Sequence, residues 1–563
     1  MAQACDVLVI GSGIAGVVAA IEAGRGGARV VLASKGRLFS GSSFYPGTWG
    51  LDLIAPADAS DERDLADTIL EVGCGVADPE LVRTFAGDLL PSLDWLDALG
   101  VELQRPSSGA AGQRAFIPCF DHKHRTWRGI TREPAERAFA RELERLGVAR
   151  LEGYELVDLV DAVPALPADA PVRTRMRRPS EAPVCESGTD RRIRGAVLAD
   201  ARTGACAHVA CGAVVLACGG TSGLFARRLT SADVMGSAHG TALRHGCSLI
   251  NIEFMQMMPG LVSPISGVVF NEKTFRYARP AEPLASTADE ERRLLELRSG
   301  HGPFTARLAS KAVDQAIDRT GDAGWRMRYR FPEHDVPEFV ESFASWLEHE
   351  RGVPRDAPMS LAMYAHASNG GVRIDADGWT GIEGLYACGE VTGGMHGADR
   401  IGGLSSANGI VFGRRAGAAA SRHALAHAGS QAPGLDPWEP LAERPLAVSP
   451  AAAQAASRDL AAVLQGAAMI NRTDAGLSDA LERVARIRAE VEERSRIAED
   501  RGLRTETPGI VRRERILNQL LLAESMLVAM RARPESRGAH NRADAPAQDP
   551  ALAAASLTWL DRA

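Results

Sequence analysis

The stretch DVLVIGSGIAG, residues 6–16, decides the fold. Its first five residues, DVLVI (6–10), form a continuous apolar run of strand length, the pattern of a strand buried on both faces. Gly11, Gly13 and Gly16 follow at G-x-G-x-x-G spacing, and an Ala-rich helical stretch then runs to about Gly24. ARVVLAS (28–34) reads as the second strand of a β-α-β unit. In such a unit the first glycine permits the tight turn and the second lets the backbone approach a pyrophosphate. The third allows close helix–strand packing, and the phosphates sit at the positive helix end. The acidic ribose ligand of the general fingerprint is missing, because the second strand ends Ala33-Ser34-Lys35-Gly36. Ser34 can hydrogen-bond a ribose hydroxyl, and it can equally cap a turn.

Outward from this unit, GAVVLACGG (212–220) and GIEGLYACGEVTGG (381–394) again run from apolar strand into glycine turn. NGIVFGRRAGAAAS (408–421) reads as a helix, as do 79–99 and 130–147. Residues 162–190, rich in Pro, Arg and Ala without periodicity, read as a surface insertion. From about 255 to 350 the pattern shifts to helices with aromatic and charged content, the mark of an inserted domain. Residues 424–456 read as a linker, 457–502 and 512–531 as helices, and the last twenty as frayed.

The length of 563 residues requires several domains. A net charge of −7 argues against nucleic acid or an anionic membrane surface as a partner. Nine scattered cysteines without a C-x-x-C pair argue against a disulfide framework, iron–sulfur ligation and c-type haem. No apolar run is long enough to span a bilayer and no leader pattern is seen, so the expectation is a cytoplasmic protein, with any membrane association through a partner. Four lysines stand against sixty arginines, so a single arginine says little by itself.

Several stretches occur in an order that carries a family resemblance. They are SKG (34–36), GSSFYPG (41–47), ACGG (217–220), NGGVRID (369–375), GLYACGEVTGGMHGADRIGG (384–403) and ESRGAHNRAD (535–544). Together they resemble the flavoprotein subunits of fumarate reductase and succinate dehydrogenase, to which L-aspartate oxidase is a sister. The resemblance implies an α/β fold: a doubly wound, Rossmann-like FAD-binding domain with an inserted α+β capping domain and a C-terminal helical domain. The bounds read 1–254 and 356–423 for the FAD-binding domain, 255–355 for the cap, 424–456 for the linker, 457–545 for the helical domain and 546–563 for the tail.

By matching position, Gly11, Ser12, Gly13, Ala15 and Gly16 hold the pyrophosphate of FAD, with Ser34, Lys35 and Gly36 by the adenosine. Ser42, Ser43, Ala217 and Gly219 lie along the cofactor, Glu390 on a ribityl hydroxyl, and Ser405 and Ser406 beside the isoalloxazine. Many relatives attach flavin through a histidine where this chain has Ser42, so FAD is expected to be non-covalent. The Thr-Gly-Asp-Gly stretch of the family reads Met235-Gly236-Ser237-Ala238 here, which removes one carboxylate.

The family reduces an activated C=C, or forms it in reverse. His366 and Arg400 match the pair that grips one substrate carboxylate, and an arginine's fork suits both oxygens. The competing readings are a core histidine and a salt bridge between Arg400 and Asp399. Arg307 lies within one position of the arginine that delivers the proton; the competing reading is an exposed helix arginine sharing a face with Lys311. The second carboxylate grip departs from the family. FMQMMPG (254–260) keeps Gln256 but carries Met258 in place of the histidine, and Asn271 replaces the threonine while Glu272 is kept. A methionine cannot pair with a carboxylate, so a substrate with a single carboxylate is expected. The alternatives are an L-aspartate oxidase-like amino-acid oxidase and a non-catalytic electron-relay flavoprotein. Electrons would come through an iron–sulfur or cytochrome partner. Cys119, His122 and His124 have metal-ligand chemistry, but no fourth ligand is in view, and no metal site is expected.

Overall fold

The strand Val7–Ile10 lies at the centre of a five-stranded parallel sheet, ordered Leu385–Ala387, Ala213–Leu216, Val7–Ile10, Val30–Ser34, Ala149–Glu152. The computed structural model describes residues 2–48, 50–106, 120–123, 125–161, 163–181, 184–185, 191–333, 336–427, 447–500 and 507–561. All four residues of Val7–Ile10 are buried, which explains why that run is apolar throughout instead of alternating. The helix Ile14–Arg25 packs on this sheet and against the helix Leu404–Ala426. Small residues make that contact possible: a Cβ on Gly413 would stand 2.7 Å from the Ala15 carbonyl oxygen, and one on Gly417 2.3 Å from that of Ala19. The doubly wound domain expected from the glycine turn is therefore present, with its two chain segments locked together through these helices.

A second five-stranded sheet orders Val268–Val269, Met255–Ser263, Met359–Ser368, Trp325–Tyr329 and Ala278–Pro280. Its longest ladder pairs Met255 with Ser368 through to Ser263 with Ser360, so it crosses the boundary drawn at 355. The ladder fixes Gln256 and Met258 on one strand beside His366 on the next. The helices Pro450–Ala467, Asp474–Asp500 and Thr507–Ala532 form the C-terminal bundle, the first starting inside the span read as a linker. The rest of that linker, 428–446, lies outside the described residues.

Two expectations are corrected. The tail read as frayed contains the strand Ala555–Leu560, which pairs with Leu249–Ile250 on one side and Val172–Arg177 on the other. The latter strand belongs to the span read as an irregular insertion. Leu557 and Leu560 face the core while polar Ser556 and Thr558 are also buried. Its partners lie hundreds of residues away in the chain, so local pattern does not reveal it. No helix among the described residues is long and apolar enough to cross a membrane.

Candidate active site

One cleft of ≈ 1890 Å³, partly open to solvent, runs from the glycine turn to Arg400. At the turn, Gly11 has φ +116°, and a Cβ there would lie 2.1 Å from the Ala217 carbonyl oxygen. A Cβ on Gly16 would lie 1.9 Å from the Gly11 carbonyl oxygen. These two glycines serve backbone packing. Gly13 is different: the nearest atoms to its Cβ position are 3.7 Å away, and it lines the cleft with Ser12 and Ala15. The geometry fits a pyrophosphate against Gly13 at the first turn of the helix, where the helix dipole is positive. Gly16 and Gly36 do not line the cleft; Gly36 packs against Ser40 and Asp233.

Beyond the glycine turn, the Ser12 hydroxyl donates to that of Ser34 at 2.7 Å, which fixes both at the cleft wall. Lys35 donates to Glu155 at 3.1 Å, and Arg515 of the C-terminal bundle also pairs with Glu155. Burial holds the Lys35 ammonium below its ordinary pKa. Glu155 and Asp233 both line the cleft and were not singled out in the sequence, since each follows a stretch without a motif. Asp233 accepts the Gly41 N–H at 3.1 Å, so the cleft has a carboxylate in this region although the Met235–Ala238 stretch has none.

Ser42, Ser43, Glu390, Ser405 and Ser406, expected along the flavin and its ribityl chain, line the same cleft, as do Ala217 and Gly219. One Glu390 oxygen accepts the Ser368 N–H at 3.0 Å and the other the Ser42 hydroxyl at 3.3 Å, and burial raises its pKa. That carboxylate retains acceptor capacity for a sugar-type hydroxyl. Gly403, at φ +80°, opens the helix Leu404–Ala426 so that Ser405 and Ser406 stand in its first turn. Arg132 and Asp52 line this region too, although no sequence motif marks them.

The structure brings the two residues expected to grip a carboxylate to one cleft. His366 and Arg400 both line the cleft. The His366 Nδ1 is buried without a hydrogen-bond partner, and burial with the nearby Arg400 charge lowers its pKa to about 3. A neutral imidazole beside a guanidinium is suited to receive an anion. Arg400 Nε donates to Gln256 Oε1 at 2.9 Å, so Gln256 orients the guanidinium and does not itself line the cleft. Asp399 pairs with Arg307 and not with Arg400.

Met258 and Val269 give the cleft wall an apolar stretch. Met258 lines the cleft and packs with Leu229, Val269, Ala362 and Tyr364. Asn271 does not reach the cleft: its Oδ1 accepts the Lys273 N–H at 3.1 Å and its Nδ2 donates to the Phe339 carbonyl at 3.2 Å. It caps the short helix Glu272–Tyr277 and cannot stand in for the family threonine. Glu272 does line the cleft, with Oε1 unpartnered, and burial pushes its pKa up to about 7.

Arg307 also departs from expectation. It precedes the helix Lys311–Arg319, so it shares no helical face with Lys311, and it does not line the cleft. Its Nε binds Asp399 at 2.9 Å, where Thr305 donates at 2.8 Å, and its guanidinium lies 5.0 Å from the centre of the Phe120 ring. Of the residues with metal-ligand chemistry, Cys119 and His124 lie outside the described residues, and His122 bonds Thr68. Among the described residues no group of three metal-ligand side chains forms.

Comparison with known families decides the assignment. The profile of the FAD binding domain matches residues 6–406. The chain belongs to this flavoprotein family. A second profile, the fumarate reductase flavoprotein C-term, matches 457–563, so membership extends over both parts of the molecule. The chain is an FAD-dependent oxidoreductase of the fumarate reductase and succinate dehydrogenase type. It is 28% identical to L-aspartate oxidase of Halobacterium salinarum, with 98% of each chain covered. It is 25% identical to a CoM/CoB fumarate reductase chain of Methanothermobacter marburgensis, covering 97% of this chain and 95% of that one. The fold matches the Mycobacterium smegmatis Sdh1 complex at TM-score 0.72 and 22% identity, covering 98% and 91% of the two chains. It matches quinol fumarate reductase of E. coli at TM-score 0.70 and 21% identity, covering 98% and 93%.

Proposed function

We propose that this flavoprotein reduces, or in reverse forms, the C=C bond of an unsaturated carboxylate that presents one carboxylate and a less polar far end. The observation that supports this most directly is the pairing of an assembled His366–Arg400 grip with an apolar wall at Met258. A second carboxylate against Met258 would be desolvated without a cation, at a cost of several kcal/mol. Bound FAD supplies or accepts the hydride. Arg400 binds the substrate carboxylate through charge-assisted hydrogen bonds, and Gln256 holds it in orientation. As charge develops toward that carboxylate, His366 and Arg400 stabilise it from the cleft wall. Glu272 holds the proton for the second carbon, because it lines the cleft with a carboxyl that is substantially protonated near neutral pH. Arg307 then acts on Asp399, behind Arg400 in sequence, instead of on the substrate. Electrons reach the site through an iron–sulfur or cytochrome partner, as the multi-subunit relatives suggest.

A second reading, an amino-acid oxidase like L-aspartate oxidase, is favoured by the relatives that share 28% identity across nearly the whole chain. The two separate on substrate. Under the first, reduced viologen is oxidised by monocarboxylic enoates; under the second, L-aspartate is oxidised and enoate turnover is confined to fumarate.

A further inference from the structure

Asp52 stands in the strand Leu51–Ile54, immediately after the segment that carries Ser42, Ser43 and Thr48. The strand packs against the helix Leu404–Ala426, and Asp52 lines the cleft together with Ser405, Ser406 and Gly409 of that helix. These neighbours put it at the flavin end. Among the described residues no hydrogen bond reaches its carboxyl. Asp52 is half-buried on the cleft wall, so FAD bound in the cleft would cover a carboxyl that has no protein donor, and such a group needs a proton or a ligand.

The charged surroundings are sparse. Gly129 lies opposite Asp52 in the antiparallel strand Trp127–Ile130, and Gln104 and the Trp127 ring crowd the same face. The helix Leu404–Ala426 contributes only Ser405, Ser406 and Gly409 to the cleft. Arg132 is the near cation, but its donors go to the carbonyls of Ser43, Thr48 and Gly50 and to the Thr48 hydroxyl, at 2.6 to 3.4 Å. It lowers the pKa of Asp52 without pairing with it, and desolvation prevails, leaving that pKa at about 6. Elsewhere the cleft carries Lys35, Glu155, Asp233, Glu272, His366, Glu390 and Arg400.

We propose that Asp52 is a redox-linked proton site at the flavin end of the cleft. When bound FAD takes up two electrons, from a partner or from dithionite, the added negative charge raises the proton affinity of Asp52. A proton from solvent then forms the carboxyl O–H, and reoxidation releases it. This inference rests on the FAD site and not on the substrate reading, so the outcome of a substrate panel leaves it standing.

The test is spectroelectrochemical titration of the FAD-loaded protein between pH 5 and 8, for wild type and Asp52→Asn. The wild-type midpoint potential should fall more steeply with pH than that of the variant above pH 6. At pH 8 the variant should be about tenfold more reduced at a given applied potential, which is about 30 mV for a two-electron couple. At pH 5 the two should coincide. Parallel lines across the whole range would overturn the proposal. Should the variant fail to hold FAD, the reduced-minus-oxidised infrared spectrum of protein labelled with ¹³C-aspartate decides. A protonated-carboxyl band should appear at the labelled frequency in wild type and at the unlabelled one in Asp52→Glu. A wild-type spectrum without that band, or a band that stays labelled in Asp52→Glu, contradicts it.

Discussion

Arg400 donates from Nε to the Oε1 of Gln256 across 2.9 Å, so its guanidinium, which in the proposed function grips the substrate carboxylate, is oriented by the strand that also carries Met258. Grip and apolar wall are thus two positions on one ladder, and the strand Met359–Ser368 beside it supplies His366.

Removal of the grip should separate binding of cofactor from turnover. Arg400→Ala should keep FAD while kcat/KM falls by about 10³, because a charge-assisted pair at the reacting end is lost. Gln256→Leu should cost about tenfold, chiefly in KM, since the guanidinium remains but its direction is freed. Flavin absorbance with steady-state kinetics measures both. Undiminished turnover in Arg400→Ala rejects the assigned grip.

Met258 sets the far wall, and a histidine there should change the selection. Met258→His places an imidazole on the wall that Met258 shares with Val269. The ratio of kcat/KM for dicarboxylic to monocarboxylic enoates should rise at least about tenfold, the scale of one charge-assisted hydrogen bond. An unchanged ratio would show that Met258 does not face the substrate's distal end.

The pH dependence follows from Glu272, whose pKa burial pushes up to about 7. C=C reduction uses its acid form, present below that pKa and lost as pH rises through it. Under saturating substrate the reduction rate should therefore fall about tenfold per pH unit above 7, and the reverse reaction should rise through the same range. Glu272→Gln should flatten both limbs and lower the rate by about 10²–10⁴. A profile that keeps its inflection in Glu272→Gln places the proton elsewhere, with Arg307 and its partner Asp399 next in line.

Ser42 at the cleft wall offers no nitrogen for a flavin bond. Denaturation in detergent should release all flavin from the polypeptide, leaving no fluorescent protein band on a gel. Glu390→Ala should weaken FAD binding by about tenfold or more, because its carboxylate is the buried acceptor positioned by Ser42 and the Ser368 N–H.

The residues that were legible in sequence are those whose chemistry is local. The turn Gly11–Gly16 is dictated by backbone clearance: Gly11 and Gly16 tolerate no Cβ and Gly13 leaves open space. His366, Arg400 and Met258, singled out through the resemblance, all line the cleft. What escaped depends on long-range pairing. Glu155 gains its place through Lys35 and Arg515, 120 and 360 residues away in sequence. Asn271 looked like a polar substitute in the site but its side chain was drawn into capping. Ala555–Leu560 is a strand only because distant strands flank it. Arg132 and Asp52 were hidden for another reason: one arginine among sixty carries no signal, and an aspartate in a short strand has no motif to announce it.

The measurement that bears most directly on the central claim is anaerobic oxidation of reduced viologen by the FAD-loaded protein across a panel of enoates. Fumarate and L-aspartate are set beside monocarboxylates of the acrylate and cinnamate types. The account predicts kcat/KM at least about tenfold higher for a monocarboxylate than for fumarate, as an unpaired second carboxylate at Met258 requires. A preference for fumarate, or turnover with L-aspartate alone, would contradict it.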